Sequence, residues 1–190
     1  MAKNNHFADN RMHLDRLLCS SQLPDDENRL AELTGYAHAI ANLENTVVVI
    51  SDMRRAESRI IAGDFGIILG LTDYEKENSI WENRILEMMP PEEQETKFIA
   101  ELRFFHFIRH LQKVKRKHYY LASILRFALS DGTNMDVMHR MYYIHDNESE
   151  HVLYAICLYS PMSFDLKWKS QAINSLTGET VELATTTNHR

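Results

Sequence analysis

Only two cysteines occur in the 190 residues, Cys19 and Cys157, and they stand far apart outside any metal-ligand spacing. That excludes a disulfide-stapled scaffold and leaves reduced thiols, the ordinary state of cytosolic chains, as the expectation. Glycine and proline are also sparse, at six and four residues. The glycines follow neither P-loop nor dinucleotide-fold spacing, so no phosphate-cradling loop is present in the pattern. No serine or cysteine sits in a nucleophile elbow. No apolar run approaches the ~20 residues a membrane-spanning helix needs, and the opening Met1-Ala-Lys-Asn-Asn-His-Phe7 lacks the apolar stretch of a secretory signal. Positive charge is in deficit, at a formal −6, which argues against a whole-molecule electrostatic fit to nucleic acid.

What is there is ordinary globular material, 44% hydrophobic and 25% charged, enough for one domain with an extension. Leu14-Asp-Arg-Leu-Leu18 suits a short helix closed by Pro24. Asp25 and Asp26 are N-cap candidates for a second helix, to Leu43, whose Leu30, Leu33, Ala37 and Ile40 share one face. That face needs a cover, and a second copy of the chain is the expected one, giving a homodimer. Thr46-Val-Val-Val-Ile50 is the strongest strand signal. A polar hexapeptide separates it from Arg59-Ile-Ile-Ala62, and the two read as a hairpin.

Asp64 can cap the short helix Phe65-Gly-Ile-Ile-Leu69, with Gly70 as its stop. Residues 72–79 are polar and read as loop, and residues 80–89 as a short amphipathic helix. Pro91-Glu-Glu93 then opens a long helix to about Gln112, with Phe98, Leu102, Phe105 and Ile108 on one face. Three strands follow: Tyr119–Leu129, Met135–Ile144 and Val152–Tyr159, the first two joined by Asp131-Gly132 turn chemistry. A small hairpin around Gly178 and a polar tail end the chain. Strands and helices are segregated, so the fold class is α+β: a five-stranded antiparallel sheet with helices on one face, plus an N-terminal helical extension.

That order resembles a PAS domain. Gly63-Asp-Phe-Gly-Ile-Ile-Leu-Gly70 is similar to the PAS segment that leaves the second strand and runs a short helix ending in Leu-Gly. Met89-Pro-Pro-Glu-Glu-Gln94 resembles the His-Pro-Asp-Asp element before the long PAS helix. A narrower resemblance, to the sensory regions of bacterial LuxR-type regulators, rests on Trp81-Glu-Asn-Arg-Ile-Leu86, Glu101-Leu-Arg-Phe-Phe-His-Phe107, Tyr119-Tyr-Leu-Ala-Ser123, Asp136-Val-Met-His-Arg-Met-Tyr-Tyr-Ile144 and Ile173-Asn-Ser-Leu-Thr-Gly178. It implies a helical extension over residues 1–43, a sensor domain over 44–162, and a segment at 163–190 leading to a helix-turn-helix domain outside this chain. DNA would then be reached only through that domain. The function implied is cytoplasmic sensing passed to a DNA-binding output, without enzymatic activity.

The PAS register brings Phe65, Ile68, Phe105, Phe127, Met138, Tyr142 and Ile156 together between sheet and helices. They form either a closed core or a pocket for a small ligand, whose identity stays open. His106 and His110, spaced i, i+4 on the long helix, are read as surface or core histidines ahead of metal ligands; the PAS resemblance adds haem as the sharper form of the second reading. His139, mid-strand, is expected to be a hydrogen-bonded core residue. Lys113-Val-Lys-Arg-Lys-His118 is read as a solvated loop ahead of a functional patch. Two rival functions stand beside the sensor: a structural dimerisation module without ligand, and a small α+β cone enzyme hiding an acid–base pair.

Overall fold

The computed structural model describes residues 3–19, 27–146, 151–162 and 168–183. Two helices, α1 (Lys3–Leu18) and α2 (Glu27–Glu44), precede a hairpin of β1 (Val47–Asp52) and β2 (Glu57–Ala62). Short elements follow: α3 (Phe65–Ile68), β3 (Lys76–Glu77) and α4 (Asn83–Leu86). Then come the long α5 (Pro91–His110) and one turn of helix, α6 (Lys113–Arg116). The last part is strand-rich: β4 (Tyr119–Ala128), β5 (Asn134–His145), β6 (Val152–Pro161), β7 (Ser170–Asn174) and β8 (Thr180–Glu182). The Asp25 and Asp26 caps and the polar tail lie outside the described residues.

All the strands join one antiparallel sheet in the order β3-β2-β1-β6-β5-β4-β7-β8. The central five are the five expected from the sequence. The sheet is nonetheless wider than expected: Lys76–Glu77, read as loop, adds a short edge strand to β2, and the hairpin around Gly178 pairs with β4 instead of standing apart. The β4–β5 turn places Gly132 at φ 83°, a left-handed conformation suited to glycine, and Asp131 accepts a hydrogen bond from the Thr133 amide.

Because side chains alternate along a strand, register assigns each residue to a face. Val47, Tyr159, His139 and Ser123 are successive partners across β1, β6, β5 and β4 and share one face with Cys157, Met141 and Tyr143. α5 packs on that inner face, where the Tyr143 ring stacks on Phe104, centroids 5.5 Å apart, and meets Phe105 edge-on. Val48, Leu158 and Arg140 belong to the outer face. Arg140 there meets Glu44 of α2, so α2 lies across the outer face over β1 and β2. With both faces covered, every residue of β1 is buried, as a central strand between two layers requires.

The helical extension is part of the same core. α1 packs on α5, burying Leu14 and Leu18, and the Trp81 indole N–H donates to Asp15 at 2.6 Å. In α2, Leu30 and Ala37 are buried and Leu33 and Ile40 pack half-buried against the core. The apolar face assigned to a second copy is therefore covered by the chain's own sheet. Gly63 marks how closely they approach: a Cβ there would fall 2.3 Å from the Ala41 carbonyl oxygen.

Candidate functional site

Four of the seven residues expected to converge do not. Met138, Tyr142 and Ile156 are one register step away from His139, Met141 and Cys157, so they point to the outer face and are half-buried. Ile68 ends α3 pointing outward, 56% exposed. Phe65, Phe105 and Phe127 are buried as expected, with the Phe127 ring 6.0 Å from Tyr159 and the Phe105 ring 6.3 Å from Tyr143. The imperfect alternation of the long strands hid the parity, since apolar residues occupy both faces.

In place of an apolar pocket, the inner face carries buried charge. Lys97, near the start of α5, donates to Glu101 one turn later at 2.6 Å and lies 3.3 Å from Glu82, on the segment before α4. Glu82 also accepts a hydrogen bond from the Tyr159 hydroxyl on β6. All four residues are buried. The Lys97 ammonium also sits 5.7 Å from the Trp81 ring and 5.5 Å from Phe98, within cation–π range. The network thus ties the long helix, the pre-α4 segment and a central strand together.

Burial alone would lower the Lys97 pKa, but the carboxylates of Glu101 and Glu82 outweigh it and hold the ammonium above its usual range. Glu101 is pushed up, by desolvation first, against the opposing pull of Lys97. Tyr159 and Cys157 are raised well above their ordinary values, chiefly by burial and then by the Glu82 charge. Cys157 is accordingly a protonated, inert thiol.

His139 completes the cluster. Its ring stacks on Tyr159 with centroids 4.9 Å apart, and its Nε2 lies 4.0 Å from Glu101 Oε1. Its exposure is 0%, and neither ring nitrogen has a hydrogen-bond partner. The expected hydrogen-bonded histidine is instead an unsatisfied one, a costly arrangement in a core. Desolvation, then the charge on Lys97, hold its pKa well below the usual value, so it is neutral.

The space beside this network, bounded by Leu18, Trp81, Lys97, Glu101, Tyr143 and Cys157 among others, is about 20 Å³. That accommodates about one water molecule, far below the ~300–1,000 Å³ of small-molecule pockets. His106 and His110 lie elsewhere, both exposed, with His110 Nδ1 2.6 Å from the His106 carbonyl oxygen. Among the described residues no group of three or more histidine, cysteine or acidic side chains is arranged to hold a metal.

Nothing in the sequence analysis singled out Lys97, Glu82 or Tyr159. The one available signal was a lysine and a glutamate, Lys97 and Glu101, interleaved with Phe98, Ala100, Phe104 and Phe105 along one helix. A charge pair between such neighbours lies close to the buried stripe.

No protein-family model matches the chain, and no curated protein matches it in sequence. Solved structures overlap with it in part. The PAS-B domain of Drosophila melanogaster Cycle is similar over 61% of this chain and 99% of that one, at 10% identity and a TM-score of 0.39. A sensory box histidine kinase/response regulator from Burkholderia thailandensis covers 66% of this chain and 82% of its own, at 7% identity and TM-score 0.41. An RNA-binding light-oxygen-voltage receptor covers 75% of this chain and 35% of its own, at 14% identity and TM-score 0.44. Overlaps of that size carry nothing about chemistry. The element order itself decides the class: two strands, short helices, a long helix, three strands, folded as one antiparallel sheet with helices packed on it. The fold is α+β, in the element order expected from the PAS resemblance. Within it, no helix among the described residues is long and apolar enough to cross a membrane.

Proposed function

We propose that this chain is the cytoplasmic sensory domain of a LuxR-type transcriptional regulator, passing its state to a DNA-binding output carried by a separate domain, and that it has no catalytic activity of its own. The observation that carries the reading is the buried Lys97–Glu101–Glu82–Tyr159 network with the unsatisfied His139 beside it. Desolvating charges costs several kcal/mol per ion, and apolar replacements of similar volume are often as stable or more so. A scaffold has no use for that cost. A sensor would use it by switching the network between two arrangements, with a bound group or a proton shifting their balance.

The enzyme reading has one feature in its favour, the approach of His139 to Glu101. Against it, the space beside Glu101 is about 20 Å³, room for about one water molecule, and His139 does not line it. The homodimer remains part of the proposal on a changed basis. A second copy would cover the half-buried outer-face side chains Tyr120, Ile124, Met138 and Tyr142, where the Tyr120 and Tyr142 rings stack with centroids 5.0 Å apart.

Hydrogen exchange on the native protein and on Lys97→Met tests the sensor reading, with native mass spectrometry reading oligomeric state and any retained mass. The expected result is faster exchange not only in α5 and β6 but also in α2 and the β7–β8 hairpin, which lie away from the substitution. Change confined to α5 and β6 would mean that the network is only a local structural tie.

A further inference from the structure

The basic run after the long helix folds beside the outer face proposed for association and shares only Tyr142 with it. α6 and the end of α5 face the start of α2 and the β5–β6 end, and two concave lobes open between them. One, of about 310 Å³, is lined by Arg109, Arg116, His145 and His151. The other, of about 580 Å³, is lined by Arg29, Lys113, Arg116 and Lys117, with Tyr142 on its wall. Arg116 and His145 belong to both lobes, so the two are one groove. Among the described residues lining it there are five lysines or arginines and two histidines against a single acid, Asp146. The chain as a whole has the opposite balance, −6.

Two of these cations are held in position. Arg116 donates to the backbone carbonyls of Leu111 at 3.1 Å and Arg109 at 3.3 Å. The Arg109 guanidinium lies over the Phe105 ring, 5.6 Å from its centroid. Fixed guanidinium groups lose less freedom on pairing and match the oxygen geometry of phosphate. Among the described residues outside the groove, Arg84, Arg126, Arg140 and Lys169 each stand within salt-bridge distance of a carboxylate. A confined, concave, multiply cationic groove of this volume suits a compact ligand with several negative charges better than a polymer.

We propose that this groove binds a small ligand carrying two or more phosphate groups, independently of the inner-face network. The α5 end of the groove and the network stand on the same helix, so occupancy has a direct mechanical route to the core.

The test is titration calorimetry of the full chain with inorganic triphosphate, compared at low and near-physiological salt. Saturable one-to-one binding that weakens with salt is expected. Arg116→Gln should weaken it about tenfold or more, and Lys117→Glu, at an exposed position that leaves the Arg116 anchor intact, several-fold. Arg84→Gln, on a cation outside the groove, should leave it unchanged. Absence of saturable heat, or equal loss in Arg84→Gln, would overturn the site. Tighter binding of a single-stranded RNA of about a dozen nucleotides than of triphosphate would overturn it in favour of a nucleic-acid partner.

Discussion

The two faces of the central sheet solve opposite problems with the same strands. On the inner face, α5 seals aromatic rings and a charged network from water, and His139 and Tyr159 are at 0% exposure. On the outer face, α2 covers β1 and β2 but leaves Tyr120, Ile124, Met138 and Tyr142 half-buried farther across. The inner face is tightly determined and has charges where apolar atoms would fit; the outer face is apolar where water reaches it. Stability and association are therefore expected to depend on different faces: substitutions under α5 should act on the fold and on the proposed sensing network, and those on β4 and β5 outward should act on association.

Three experiments would break or sharpen that contrast. The largest effect belongs to the inner network. Lys97→Ala leaves two buried carboxylates without their cation and should cost about 3–5 kcal/mol in urea unfolding. Lys97→Met combined with Glu101→Leu removes the closest ion pair as a unit and should recover most of that loss. If the single substitution costs no more than a surface one, the network is not a sealed element.

Next comes acid. His139 has a depressed folded pKa, so its contribution is present above the unfolded value, about 6.5, and is lost as pH falls toward the folded one. Glu101 has a raised folded pKa, so its contribution is present below about 4.3 and is lost as pH rises through the folded value. The two oppose each other below about pH 6.5. His139→Phe removes the destabilising partner and should flatten the acid limb by up to about 1.4 kcal/mol per pH unit relative to the native protein. Unfolding curves at pH 7, 6 and 5 (round settings spanning the histidine range) that stay parallel for the two proteins would remove His139 from the titrating set.

The smallest effects compare adjacent residues of β6. Ala155 is buried on the inner face, opposite Ser51 and Tyr143, and Ala155→Val should cost about 1–3 kcal/mol by overpacking. Ile156, one step along, is half-buried on the outer face, and Ile156→Phe should stay within about 0.5 kcal/mol. This reverses the expectation from sequence, in which Ile156 faced the core. Thermal unfolding of both variants side by side decides the parity; a larger loss for Ile156→Phe would invert the face assignment.

Much of the fold was legible because its signals are local. The β-branched run at residues 46–50, the Pro91 helix start and the Asp131-Gly132 turn each act over a few residues, through sterics and backbone conformation that sequence shows directly. The candidate site was much less legible. Lys97, Glu82 and Tyr159 are separated by up to 77 positions, and no local pattern joins them. The expected pocket failed at Met138, Tyr142 and Ile156 because the outer face of β5 and β6 also carries apolar residues, so period-two alternation cannot say which face is which.

The sequence by itself determined the order of elements, the α+β segregation and an acidic chain with a concentrated basic run, since these follow from propensity, turn chemistry and charge summed along the chain. Only the tertiary structure decided that α2 packs on its own sheet, that the core under α5 is closed, and that a lysine, two glutamates, a tyrosine and a histidine meet there. The physical reason is register. Which face a strand residue takes, and which distant charge it meets, depend on hydrogen-bond pairing between strands far apart in sequence, and one step of pairing turns every side chain over.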